Sequence, residues 1–173
     1  NSKPKHLVQG ALMGSEYAKL LLGKENPTVG LLNIGEEATK GNDVVLATYP
    51  ILECMKTINF KGNIEGRDIP KGAVDVVVCD GFVGNVVLKF AEGLVTGLTQ
   101  LVKDSIMAGS IFAKIGAMLV KPALKKMAKR LDHTENGGAP LLGVNGVFMI
   151  AHGSSKAKEI KTAIEIASDL VER

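Results

Sequence analysis

An α/β domain built on a mostly parallel sheet is what the sequence predicts, on three observations. Short apolar runs rich in β-branched residues, above all Val74-Asp75-Val76-Val77-Val78-Cys79, read as strands buried on both faces, and this one is expected to be central. Stretches with helical apolar spacing alternate with them, the β-α-β order of right-handed crossovers. Glycine loops follow the strands, in a chain with 20 glycines in 173 residues.

That length suffices for one ordinary domain with its own core. Two cysteines, Cys54 and Cys79, are too few for a disulfide framework and suit a reducing cytoplasm. The opening NSKPKHLVQG lacks an apolar signal core, and no uninterrupted apolar run reaches the roughly 18 to 20 residues of a membrane span. A net charge of +3 implies no nucleic-acid partner. The chain opens on a helix signal instead of a strand, which points to a piece of a longer polypeptide.

In order, Ser2 is expected to cap a first helix, with Pro4 in its first turn and Leu7, Val8, Ala11, Leu12, Ala18 and Leu21 on its apolar face, ending at Gly23. Thr28 to Asn33 reads as a buried strand. The polar loop Ile34 to Asn42 follows at its carboxyl end, where ligand sites of such sheets lie, and Lys40 is its only cation. A solvated turn lysine is the plainer reading of Lys40.

Asn42 or Asp43 can cap a second helix through Val44, Val45, Ala47, Leu52 and Met55, and Ile58 to Phe60 reads as a brief strand. Gly62 to Pro70 reads as a loop in which Glu65, Arg67 and Asp68 either form a local ion pair or present Arg67 to an anion. After the Val74–Cys79 strand, Asp80-Gly81-Phe82-Val83-Gly84-Asn85 reads as a glycine turn into a helix. Such a junction aims free N–H groups at an anion, or else only shapes a tight connection.

From Ile106 to Leu131, six basic residues and no acid alternate with Ile111, Phe112, Ile115, Met118 and Leu119. Pro122 is expected to break or kink this segment into two helices, a basic amphipathic hairpin over about 100–133. Such a hairpin suits an anionic membrane surface, a second copy of the chain, or both. Gly137 to Gly146 then leads into a strand over Val147–Ala151. His152, Ser154 and Ser155 follow, with a serine as the expected cap of a final helix from about Lys156 whose inward residues are Ala157, Ile160, Ala163, Ile164, Ala167 and Leu170. This is a second strand, glycine and helix junction, and two converging helix ends with Lys40 or Lys156 would suit phosphate.

The motifs VGLLNIGEEATKGN, NFKGNIEGRDI, DVVVCDGFVGNVVLKFAEG, GGAPLLGVNGV and AHGSSKAKEI, in this order, resemble the PlsX family of bacterial phosphate acyltransferases across essentially the whole chain. The resemblance is to the carboxyl-terminal part of such an enzyme, residues 1–173 forming part of one domain. It implies a three-layer α/β/α sandwich of the isocitrate and isopropylmalate dehydrogenase type. It implies transfer of a fatty acyl group from acyl carrier protein to inorganic phosphate, for use by a downstream glycerol-3-phosphate acyltransferase in phospholipid synthesis. A homodimer in the cytoplasm, peripherally attached to the membrane by the basic hairpin, also follows from it, as does dependence on Lys40 and Asn85.

Asp80, Gly81, Gly84, His152, Ser154 and Ser155 join as substrate-binding candidates from their strand-end positions. No cofactor and no metal are expected, because phosphate is itself the nucleophile and His and Cys are not clustered. The rival readings are an acyl-CoA enzyme of the phosphate acetyltransferase kind and a non-catalytic membrane-surface module. A dehydrogenase is disfavoured because no GxGxxG with a following ribose-binding acid is found.

Overall fold

The computed structural model describes residues 2–131, 138–151, 153 and 155–172. The chain divides into two compact units, Asn1–Thr96 and Gly97–Arg173.

In the first unit, helix α1 (Pro4–Leu22) packs on strand β1 (Thr28–Asn33), helix α2 (Asp43–Cys54) crosses over to β2 (Asn59–Glu65), and a 3₁₀ turn (Gly66–Lys71) returns to β3 (Val76–Val78). The three strands are parallel in the order β2-β1-β3. The core is one cluster of Leu7, Ala11, Val29, Leu31, Leu52, Ile58 and Val78. Glycine lets α1 approach the sheet, since a Cβ at Gly14 would lie 2.8 Å from Val76 Cγ1. Gly23 closes α1 in the left-handed region at φ 61°. Lys3, not Ser2, is the cap residue of α1.

Two expectations are corrected here. The valine run forms a strand of three residues at an edge, and β1 is the central strand. Val76 and Val77 are half-buried, so the run's apolar character exceeds the cover that this unit gives it. The stretch Gly62–Glu65 is strand, not loop. Val29 pairs with Phe60 but Leu31 with Asn63, so β2 carries one extra residue, and Gly62 takes φ 91° there. A glycine that reads as a breaker is a β-bulge within a continuing strand. Arg67 forms the local pair, its Nε 2.8 Å from Glu65 Oε2 and its Nη2 3.0 Å from Glu65 Oε1.

Helix α3 (Gly81–Ala108) starts three residues after β3 and runs through the unit boundary. Gly81 and Gly84 are therefore helical, not turn, residues. By length and composition α3 could cross a membrane, and none of its residues is buried.

In the second unit, α4 (Ile111–Leu131) runs through Pro122. The break expected at that proline falls instead at Gly109, where a Cβ would lie 3.0 Å from Ala113 Cβ and 3.3 Å from the Ile106 carbonyl oxygen. Ser110 Oγ accepts from Ala113 N at 3.4 Å and starts α4. Proline removes one helical donor, whereas the capped glycine step stops the ladder on both sides.

Strands β4 (Ala139–Pro140) and β5 (Met149–Ile150) form an antiparallel ladder apart from the parallel sheet. The expected strand over Val147–Ala151 is thus shorter and belongs to a local hairpin. In α5 (Ala157–Glu172) only Ala163 of the expected inward face is buried, and Ile164 is 64% exposed.

Candidate active site

Strands β1 and β3 are neighbours and parallel, so the loops leaving their carboxyl ends emerge at one edge of the sheet. The β1 loop carries Lys40, and the β3 junction carries Asp80 to Asn85. A cavity of about 660 Å³ lies where three helices begin, lined by Ser2 and His6 at the start of α1, by Asn42, Asp43 and Val44 at the start of α2, and by Asp80, Gly81 and Phe82 at the start of α3. Helix N-termini carry N–H groups and partial positive charge, which draw anionic or strongly polar groups unless a cap of the chain itself satisfies them.

Two of these ends are closed by their own caps. Asn42 Oδ1 accepts from Val45 N at 3.0 Å. Asp80 Oδ1 accepts from Phe82 N at 2.9 Å and Val83 N at 3.0 Å. Asp80 therefore spends its charge on α3, and with Asp43 also lining the cavity this wall would repel a bare dianion. At α1, His6 Nδ1 accepts from Lys3 N at 3.2 Å.

Lys40 is exposed on a loop whose backbone is held at several points. Its N–H donates to the Glu37 carbonyl at 3.1 Å, and its carbonyl accepts from Asn33 Nδ2 at 2.8 Å. Glycines frame the loop. A Cβ at Gly35 would sit 3.3 Å from Lys40 Cγ, and Gly41, at φ 112°, would place one 2.7 Å from Asn33 Oδ1.

Gly84 lets α3 fold onto β3, since a Cβ there would meet Cys79 Sγ at 3.1 Å. Burial, and then the adjacent Asp80 carboxylate, pushes the Cys79 thiol up, which marks it as a packing group and not a nucleophile.

The candidates from sequence thus separate. Asp80 and Gly81 line the cavity, and Gly84 is a packing glycine. Neither Lys40 nor Asn85 lines the cavity: Lys40 lies two residues before Asn42, Asn85 one helical turn after Gly81, and both are exposed. Ser155 is half-buried in the second unit, and there Glu159 Oε2 accepts from Lys156 N at 2.6 Å. His152 and Ser154 lie outside the described residues.

Reading the sequence missed His6 as a lining residue, and missed Asn33 and Asn63 near Lys40. For Asn33 the available signal was a polar residue closing an apolar strand run at its carboxyl end; Asn63 and His6 carried no such signal. Among the described residues no group of three His, Cys, Asp or Glu is arranged to hold a metal.

Comparison with known proteins places the chain in a family. The profile of a family described as "Fatty acid synthesis protein" matches residues 1–173. The chain belongs to that family. It is 57% identical over 173 residues to a phosphate acyltransferase of Desulfitobacterium hafniense, covering 99% of this chain and 51% of the relative. The corresponding protein of Heliobacterium modesticaldum is 56% identical over 172 residues, with 99% and 51% covered. That of Aquifex aeolicus is 52% identical over 169, with 98% and 50% covered. The motif resemblance to phosphate acyltransferases is thereby borne out. The chain spans about half the length of these curated relatives.

Proposed function

We propose that the polypeptide carrying this chain transfers a fatty acyl group from acyl carrier protein to inorganic phosphate, yielding acyl phosphate for phospholipid synthesis. The observation that carries the reading is the shared sheet edge: the loop with Lys40 and the helix start with Asn85 follow the carboxyl ends of β1 and β3, which are adjacent and parallel.

The chemistry asks little covalent work of the protein. A phosphate oxygen attacks the thioester carbonyl carbon, a tetrahedral oxyanion forms and collapses, the carbon–sulfur bond breaks, and the carrier leaves as its thiol. Such a reaction requires a dianion held in line and donors for the developing oxyanion. Lys40, exposed and mounted on a tethered loop, supplies the positive charge. Asn85 supplies an amide N–H donor from the first turns of α3. Asp80 acts indirectly, by capping the helix that carries Asn85, and phosphate sits on the Lys40 side, away from Asp43 and Asp80. Gly81 remains a candidate for contacts to the donor.

The finer architecture belongs to the same proposal: a three-layer sandwich completed by further sequence, as a cytoplasmic homodimer. Helices α3 and α4 supply the apolar and basic surface for a second copy and an anionic membrane. The product would pass to a glycerol-3-phosphate acyltransferase.

The deciding experiment measures phosphate-dependent acyl phosphate release by the intact polypeptide from long-chain acyl carrier protein, with acyl-CoA as the competing donor. Lys40→Ala and Asn85→Ala should each lower turnover by about a hundredfold or more, the scale for loss of one oxyanion donor. Near-normal turnover in either folded variant refutes that residue's role, and a preference for acyl-CoA refutes the carrier.

A further inference from the structure

Asn63 is 6% exposed, yet its Oδ1 has no hydrogen-bond partner among the described residues. A buried amide acceptor left unpaired destabilises a fold, and an apolar side chain of similar volume would avoid that cost. The other end of the same amide explains the residue type: Nδ2 donates to the Glu37 carbonyl at 3.0 Å, in the loop that carries Lys40. The Glu37 carbonyl also accepts the N–H of Lys40, at 3.1 Å. From the neighbouring strand, Asn33 Nδ2 donates to the Lys40 carbonyl at 2.8 Å while its Oδ1 takes the N–H of Ile34 at 2.8 Å.

We propose that Asn63 and Asn33 form a clamp that positions Lys40, two amides from the carboxyl ends of adjacent strands fixing the loop backbone on either side of the lysine. The bulge at Gly62 belongs to this device. By inserting one residue it resets the alternation of β2, so that Asn63 pairs with Leu31 and reaches the loop. Gly35 and Gly41 complete it by letting the Lys40 stem and the Asn33 amide come close to the backbone. The inference rests on the reading of Lys40 as the cation that serves phosphate. On that reading, Asn63 trades core stability for the placement of a charge. Both asparagines act through the backbone of the loop that carries Lys40, so both are positioning residues.

The test uses the intact polypeptide in the acyl phosphate assay with thermal unfolding alongside. Asn63→Leu should keep or raise the thermal midpoint while lowering kcat by roughly ten- to a hundredfold, the scale for a misplaced reacting group, and leaving KM for the acyl donor unchanged. Added to Lys40→Ala, it should cost less than about threefold more, because the clamp acts only through that lysine. Asn33→Asp keeps the acceptor for Ile34 N, removes the donor to Lys40, and should behave alike. It carries the test if Asn63→Leu fails to fold.

An inactive Lys40→Ala beside fully active Asn63→Leu and Asn33→Asp overturns the clamp alone. So does an equal fold-loss from Asn63→Leu with and without Lys40. Near-normal turnover of Lys40→Ala overturns the reading of Lys40 and the clamp's purpose with it.

Discussion

Asp75 ties the amino ends of β1 and β3 together. Its Oδ2 accepts from Thr28 N and Thr28 Oγ1, both at 2.8 Å, and its Oδ1 pairs with Lys24. The Lys24 ammonium first, and then the Thr28 donors, hold this carboxyl down at about 2, against an ordinary 3.8. Because the folded value is the lower one, the unfolded chain binds the proton more readily below pH 4. The stabilisation is full above the ordinary value and is lost as pH falls toward the folded one. Asp75→Asn should therefore flatten the acid dependence of the urea midpoint between about pH 4 and 2, relative to the parent. An unchanged slope would show that Asp75 does not set it. Gly35 makes a second case. Alanine there would press on Lys40 Cγ at 3.3 Å and Glu37 Oε2 at 2.7 Å. Gly35→Ala should depress turnover more than it depresses the thermal midpoint, and the reverse order would assign Gly35 to the fold and not to the loop.

Helix α3 depends on its first turn. None of its residues is buried, so Asp80 and the packing of Gly84 on Cys79 fix its start at the sheet. Asp80→Ala should cost about 1 kcal/mol in urea unfolding, the usual loss for an N-cap, and Asp80→Ser should restore most of it. If Asp80 bound phosphate directly, serine would rescue stability without activity; as a cap that carries Asn85, it should rescue both. Strand β2 shows the same dependence of element on site: its bulge leaves the ladder for one residue and delivers Asn63 to the loop.

Across the molecule, apolar surface is unevenly covered. Phe112 is 80% exposed and Leu119 is 78% exposed on α4, among lysines. Exposed apolar side chains on a basic helix favour an anionic bilayer or a second copy. The intact polypeptide should co-sediment with vesicles rich in anionic lipid, less so at high salt, and Phe112→Ser with Leu119→Ser should weaken this at unchanged turnover in solution. Salt-insensitive binding would point to apolar contact alone. Phosphate near a hundred times its Kd should stabilise the intact polypeptide by about 2.7 kcal/mol, read as a raised thermal midpoint, and Lys40→Ala should reduce that shift.

The α/β class, the helix of residues 4–22, the strand of 28–33 and the polar loop that follows it were legible in sequence, because periodicity and turn chemistry are local properties of the chain. So was the family, whose motifs put Lys40 and Asn85 in view. Strand order was not legible: Val76–Val78 has the composition of a central strand, and only hydrogen bonding to β1 alone makes it an edge. The bulge at Gly62, the helix running through Pro122 and the capping role of Asp80 were likewise settled by partners distant in sequence or by backbone geometry. Asn63 states the difference most sharply. In the chain it is one polar residue in NFKGNIE; folded, its amide meets the loop of Lys40 across 26 positions, because adjacent parallel strands bring their carboxyl ends together however far apart they lie in sequence.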